Sequence, residues 1–408
     1  KCVHCGFCLT TCPTYALLGD ERDSPRGRIY MIQNMLESGS TPKAETVRHV
    51  DRCLSCLGCV TACPSGVDYM HLIDNARAHI EQNYRRPWVE RFIRHCLAFV
   101  LPRPGLFRMA LALGSMFQGL KVFFPSSLRR MLEILPTNYD SPPKLNKSQT
   151  FVGSGIVKKR VALLPGCVQQ VLGSRINEAT IRVLSRHGCE VIIPQGVSCC
   201  GAIPHHLGKK EQAINIVRKN LKVWNREIED NGLDAIIINA SGCGTTIKDY
   251  GHMFKDDPDL CMQAEKISSI ALDISEILFD LELKSSNEFS YTLTVAYHDS
   301  CSMQHGQNLE RQPRSLLKGL GYNVREVKEG HMCCGAAGTY NLLQPKISDS
   351  LGRMKGKHVS EVGADVVAAA NLGCMLQIER YTEIPTVHTV ELLDWATGGP
   401  VPEILQSI

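Results

Sequence analysis

Two runs of closely spaced cysteines constrain this chain more than any other feature. Cys2, Cys5, Cys8 and Cys12, followed by Pro13, have the spacing C-x2-C-x2-C-x3-C-P, and Cys53, Cys56, Cys59 and Cys63, followed by Pro64, repeat it. Three thiols at two-residue intervals on a tight loop can reach three irons of one cubane, whereas the fourth is carried away on the turn that the proline starts. In two-cluster proteins that fourth cysteine serves the other cluster. Cys2, Cys5, Cys8 and Cys63 are therefore assigned to one 4Fe–4S cluster, and Cys53, Cys56, Cys59 and Cys12 to a second. Gly6 and Gly58 are expected to let the backbone pass close to sulfur and leave amides free to hydrogen-bond it. A pair of zinc ribbons is the alternative, since C-x2-C pairs also bind zinc. A zinc site takes four ligands, however, and two complete runs each ending in Cys-Pro exceed that need.

Between the runs, Ile29, Ile32, Met35 and Leu36 recur at a helical interval after Arg26 and Arg28; Met70, Ile73, Ala76 and Ile80 do the same after the second run, with Asp68 placed as an N-cap. Residues 1–87 are expected to form a mainly helical domain around two clusters. Arg26 and Arg28 read equally well as surface charges or as cations that offset cluster charge or meet a partner. From Trp88 to about Leu135, apolar residues mix with Arg91, Arg94, Arg103, Arg108, Lys121, Arg129 and Arg130. The longest apolar piece, Leu106 to Phe124, is interrupted by Arg108, Gln118 and Lys121, so it falls short of the roughly 20 uninterrupted apolar residues of a membrane span. A helix packed on other domains or on a partner subunit is the favoured reading, with a basic amphipathic helix on a membrane surface as the alternative. Asn138 to Gly155, rich in Pro, Ser, Lys and Gly, reads as a linker that closes a bridge of residues 88–155.

The 408 residues include 19 cysteines. Disulfide scaffolds staple small secreted domains that lack a core. Here 44% of the residues are hydrophobic, and the cysteines stand in close groups that suit a metal better than pairwise bridging. No apolar secretory segment opens the chain, which points to the cytoplasm, and a cysteine directly after Lys1 suggests a short preceding segment. A formal net charge of +4 leaves nucleic acid binding without an electrostatic footprint.

The C-terminal two-thirds contains an internal repeat. Val161 to Cys167 corresponds to Val295 to Cys301, Cys199-Cys200-Gly201 to Cys333-Cys334-Gly335, Asp234 to Cys243 to Asp365 to Cys374, and Asp273 to Leu278 to His388 to Leu393. Val161 to Leu164, Glu190 to Ile193 and Ala235 to Ile238 read as buried parallel strands, and Asn177 to His187, closed by Gly188, as a helix. Each copy is expected to be an open α/β sheet, one over residues 156–285 and the other over 286–408, giving an α+β multidomain chain. Cys167, Cys199, Cys200 and Cys243 fall just after strands, as do Cys301, Cys333, Cys334 and Cys374 in the second copy. The carboxyl ends of strands form the ligand edge of such sheets, and adjacent cysteines there suit neighbouring irons of a cluster or a redox-active thiol site. His206, His298 and His331 flank these sites as supporting side chains rather than ligands. Cys96, Cys189 and Cys261 lie outside the repeat and read as structural thiols.

As a set, two ferredoxin-type runs followed by two Cys…Cys-Cys-Gly…Cys modules resemble the CCG-domain iron–sulfur proteins. These include heterodisulfide reductase subunits, the anaerobic glycerol-3-phosphate dehydrogenase iron–sulfur subunit and the glycolate oxidase iron–sulfur subunits. The stretches Cys2 to Cys8, Thr11 to Tyr15, Pro25 to Tyr30, Ala240 to Gly244 and Cys333 to Tyr340 are most similar to the last group. The resemblance runs the length of the chain. It implies an electron-transfer subunit of a membrane-associated complex on the inner face of the cytoplasmic membrane. Partner FAD flavoprotein subunits would oxidise glycolate or a similar 2-hydroxyacid, and electrons would pass toward a membrane quinone. The cofactors implied are two 4Fe–4S clusters, with one or two further clusters at the CCG sites and no flavin in this chain. Some relatives carry a further cysteine where this chain has Thr246 and Gln377, which leaves cluster type at the CCG sites open. A glycerol-3-phosphate or lactate dehydrogenase subunit, a thiol–disulfide reductase and a cluster-based sensor are the competing functions.

Overall fold

The two cysteine runs fold against each other in a computed structural model of the protein, which describes residues 1–39, 41–117, 149–153, 156–197, 199–286 and 293–406. Helices Pro25–Glu37, Ala44–Asp51 and Tyr69–Asn83 surround the loops. The first starts where Ser24 accepts the Gly27 amide and Pro25 supplies the fixed φ of an opening turn. The third starts at Asp68, which accepts the His71 amide as expected. Ile32, Met35, Ile73, Ala76 and Ile80 meet in one core together with Cys53 and Cys59, while Leu36 is turned to solvent.

The bridge forms helices Trp88–Val100 and Pro104–Phe117. Their inner faces pack on the rest of the chain, Leu97 and Ala98 against Leu207, and Phe107 and Leu111 against Val171. Two of the basic residues here are committed internally: Arg94 pairs with Asp51 at 3.1 Å, and the Arg108 guanidinium donates to the Gln170 carbonyl at 2.7 Å. No helix among the described residues is long and apolar enough to cross a membrane. Residues 118–137, the rest of the expected bridge, lie outside the described residues.

Two sheets follow, with strands β1 (Gln149–Val152), β2 (Lys159–Leu163), β3 (Cys189–Ile193), β4 (Ala235–Ile238) and β5 (Ala271–Asp273) in one. The other holds β6 (Thr294–His298), β7 (Asn323–Glu326), β8 (Val366–Ala369) and β9 (Thr386–His388). Their orders, β1-β3-β2-β4-β5 and β7-β6-β8-β9, are the same once β1 is set aside. All pairings are parallel except β1 on β3. β1 corrects the linker reading of Asn138 to Gly155: Thr150, Phe151 and Val152 are strand formers, and Phe151 packs on the core of the first sheet. Residues 138–148 and 154–155 lie outside the described residues.

The repeat seen in the sequence is repeated in hydrogen bonds. Asp234 accepts the Arg160 amide at 2.6 Å, and Asp365 accepts the Thr294 amide at 2.7 Å, each pinning the start of two neighbouring strands. Asp273 and His388 cap matching helices, with Glu276 and Glu391 accepting the cap amides at 2.7 and 2.8 Å. The two sheets share one hydrophobic core, in which Val161, Leu184 and Ile237 lie with Val295, Tyr297 and Leu393.

Helix Tyr69–Asn83 joins the N-terminal unit to the first sheet module. Gly208 comes so close to it that a Cβ there would lie 2.4 Å from the Arg77 carbonyl oxygen. Lys209 pairs with Glu81 at 2.7 Å, and His71 sits between Asp68 at 2.6 Å and Asp249 at 2.8 Å, stacked on His252. The hydrogen bond to Asp249, reinforced by Asp68, raises His71 from 6.5 to about 9. Its contribution to docking is complete below about pH 6.5 and is lost as pH rises through 9. The wild-type protein should thus lose thermal stability relative to His71→Gln between pH 6.5 and 9.5 or so. Parallel pH profiles of the two proteins would refute this linkage.

Candidate metal centres

The N-terminal cysteines converge in two nests. One cavity is lined by Cys2, Cys5, Cys8 and Cys63, and another by Cys12, Cys53 and Cys56, with Cys59 reaching both. The loops place left-handed residues at matching positions, His4 (φ 53°) with Ser55 (φ 52°) and Gly6 (φ 89°) with Leu57 (φ 63°). Such alternation turns successive amides toward one point and makes the anion-binding concavity common at iron–sulfur sites. In the second run the left-handed residue is Leu57 and not Gly58. Gly58 matters for close approach, since a Cβ there would lie 3.3 Å from the Thr11 carbonyl oxygen. Burial pushes the Cys8 and Cys59 thiols upward, and Cys59 is raised further by Cys53 and Cys12. Thiols crowded in this way become thiolates readily only with positive charge among them, which is what bound iron provides. The donor set therefore fits iron–sulfur clusters.

Arg28 is the main departure from a surface reading. It is 1% exposed, with its guanidinium donating to the His49 carbonyl at 2.7 Å and to Thr14 Oγ1 at 2.9 Å, and lying 3.9 Å from Cys12 Sγ. Burial opposes its charge, yet Cys53, Tyr69, Cys12 and Asp23 hold it protonated and raise it overall. Asp23, fully buried, also takes His49 at 2.8 Å and Arg52 at 2.8 Å. Arg26 remains nearer the surface, paired with Glu21 at 2.6 Å and donating to the His4 carbonyl. The Tyr69 hydroxyl donates to Cys53 Sγ at 3.7 Å. Asp23, His49 and Tyr69 carry no motif, and only the folded contacts reveal them.

In the sheet modules every selected cysteine follows the carboxyl end of a strand. Seven of the eight are buried, and Cys243 is half-buried. Sulfur contacts run as a chain in each copy, from Cys167 through Cys199 and Cys200 to Cys243, and from Cys301 through Cys333 and Cys334 to Cys374. The glycine after each pair is left-handed, at φ 87° for Gly201 and 90° for Gly335, and donates its amide at 3.4 Å to the first sulfur of the pair. A Cβ at Gly335 would meet the Ser348 carbonyl oxygen at 2.7 Å. Cys333 donates to Cys334, which with Cys374 and His298 holds the Cys334 thiol well below its usual range. Cys167 is raised by Cys199 and by burial. Four soft donors thus gather in each copy with the chemistry of a metal centre.

The flanking histidines differ. His298 is fully buried beside Cys334 and Cys374. His206 turns from the thiols to Asp74, 3.1 Å away, and joins helix Tyr69–Asn83 to the first module. His331 is half-buried, with its backbone against His305. Cys189 is buried in β3, whereas Cys96 and Cys261 are half-buried. One feature is invisible in the sequence: Cys56 and Leu54 of the second run pack in the same apolar cluster as Cys301 and Cys333. Thr61 Oγ1 meets His305 Nδ1 at 2.8 Å beside this contact.

Residues 1–67 match the family described as "4Fe-4S dicluster domain", and residues 161–248 and 295–379 both match "Cysteine-rich domain". The chain is 38% identical over 395 residues to the glycolate oxidase iron–sulfur subunit of Escherichia coli (strain K12), covering 97% of this chain and 93% of that protein. It is 32% identical over 420 residues to the probable glycolate oxidase iron–sulfur subunit of Bacillus subtilis (strain 168), covering 98% and 94%. Lactate utilization protein A of Oceanobacillus iheyensis is 27% identical over 250 residues, which are 59% of this chain and 99% of that protein. The crystal structure of a hypothetical protein from Helicobacter pylori shares the fold, with a TM-score of 0.56 at 12% identity over 92% of this chain and 68% of that one. With two ferredoxin-type nests, two CCG nests and full-length similarity of this kind, the chain belongs to the family of glycolate oxidase iron–sulfur subunits.

Proposed function

We propose that the chain is the electron-transfer subunit of a flavin-dependent glycolate dehydrogenase complex, taking electrons from partner flavoprotein subunits and passing them toward a membrane quinone. The observation that carries this reading is the convergence of sixteen cysteines into four nests in a chain with full-length glycolate oxidase relatives. Iron–sulfur clusters held by these cysteines would supply one-electron chemistry. The chain itself sets the spacing and buries most of the CCG thiols. Leu54 and Tyr340 seal the contact between Cys56 and Cys301, and the Tyr340 hydroxyl donates to the Arg52 carbonyl at 2.8 Å to hold the seal closed.

Lactate is the second substrate reading, favoured by the lactate utilization relatives. Those align with 58–59% of this chain, whereas the glycolate oxidase subunits span nearly all of it. Thiol–disulfide catalysis fits less well, because an attacking thiolate must be accessible and seven of the eight CCG thiols are buried. The test is to isolate the chain with its flavoprotein partner under anaerobic conditions and add each acid in turn. Glycolate should reduce the clusters, seen by electron paramagnetic resonance. Reduction by lactate or glycerol 3-phosphate but not glycolate would overturn the reading.

Trp88, Phe92 and Phe99, 73%, 61% and 45% exposed, lie along the outer face of helix Trp88–Val100. With Met109, Leu113 and Met116 also exposed, this is the face we assign to the membrane surface. Trp88→Ser with Phe92→Ser should weaken binding to anionic lipid vesicles by about tenfold or more, from the loss of two exposed aromatic side chains that would enter the lipid surface. Unchanged vesicle binding would remove the assignment.

A further inference from the structure

We propose that His298 is a nitrogen ligand of the metal centre in the second CCG nest, which makes that nest mixed sulfur and nitrogen while the first is sulfur only. The inference rests on the reading of the CCG cysteines as a metal site. His298 ends β6 and is 0% exposed, and neither of its ring nitrogens meets a nitrogen or oxygen partner with hydrogen-bond geometry, the Cys334 sulfur being its polar neighbour. A buried imidazole whose polar neighbour is a thiol sulfur is poorly satisfied, and a metal ion shared with that sulfur would satisfy one ring nitrogen directly. A ring nitrogen of His298, Cys334 Sγ and Cys374 Sγ all lie within 4.8 Å of one another. Three such atoms can surround one thiophilic metal ion, since metal–sulfur bonds of about 2.3 Å and metal–nitrogen bonds of about 2.0–2.1 Å leave ligand atoms at comparable separations.

The internal repeat supplies a control. Register pairs Val161 with Val191 and Ala235 in the first sheet and Val295 with Val324 and Val366 in the second, so the position of His298 corresponds to Leu164. Leu164 is 1% exposed and packs with Cys167, Cys199 and Cys200 in the core of the first module. The same position of the repeat, the last residue of β6 and the residue after β2, therefore presents a hydrocarbon to one cysteine set and an imidazole to the other. Imidazole carries no negative charge, so a centre that takes His298 in place of one of its four thiolates would be a better electron acceptor than the all-sulfur first nest.

The experiment is pulsed electron paramagnetic resonance on the whole chain, prepared without oxygen and reduced, with and without 15N-histidine labelling. One cluster signal should show strong nitrogen coupling of the kind a directly bound imidazole gives, and the coupling should change on labelling. His298→Gln should lose that signal and the metal of one nest, with the ferredoxin-type signals intact. His298→Cys should restore the metal without nitrogen coupling and at a lower potential. If the second nest holds zinc instead, X-ray absorption at the zinc edge should show one nitrogen scatterer in the wild type and none in His298→Cys. Metal in the second nest with sulfur ligation alone would overturn the proposal, leaving His298 as a hydrogen-bond donor. A nest empty of metal in the wild-type protein would instead overturn the reading beneath it.

Discussion

Arg28→Leu should cost the N-terminal unit about 3 kcal/mol and cause early loss of the cluster nearest Cys12 and Cys53, because it removes one member of a buried charge network. Arg28 and Asp23 are 1% and 0% exposed, and Asp23 would keep Arg52 and His49 but lose the guanidinium 3.4 Å away. The His49 carbonyl and Thr14 Oγ1 would lose their donors as well. Lysine keeps the charge without the planar fork that reaches these acceptors together, so Arg28→Lys should fall between leucine and wild type. The measurement is the guanidinium concentration at which visible cluster absorbance is half lost, anaerobically. Equal midpoints for wild type and Arg28→Leu would show that this cation is not holding the nest together.

Cys12→Ala and Cys53→Ala should abolish the same cluster signal and each lose about four irons per chain, whereas Cys63→Ala should abolish the other, with Cys2→Ala. The proposed reason is that the two runs exchange their fourth ligands. Cys12 is buried in the cavity of Cys53 and Cys56, and Cys63 lines that of Cys2, Cys5 and Cys8. Each cluster would then staple both runs, so either substitution should also loosen the fold around helix Pro25–Glu37. Iron content and resonance spectra of the four variants decide the matter. If Cys12→Ala and Cys2→Ala remove the same signal, each run keeps its own cluster and the exchange is wrong.

The sequence alone carried the four-cysteine runs, the duplicated modules, the strands that precede each CCG cysteine and the cap at Asp68, because these depend on spacing, periodicity and residue type over a few neighbours. It could not separate a surface Arg28 from a buried one, since the partners that decide it, Asp23 and His49, reach it only when two helices and a loop pack together. The edge strand β1 was hidden by its Pro- and Ser-rich surroundings and exists because β3 offers it an open edge. The meeting of Cys56 with Cys301, and of His298 with Cys334 and Cys374, joins residues far apart in the chain. Short-range patterns determine which groups can bind metal; only long-range packing, which pays chain entropy to close those distances, decides which of them face each other.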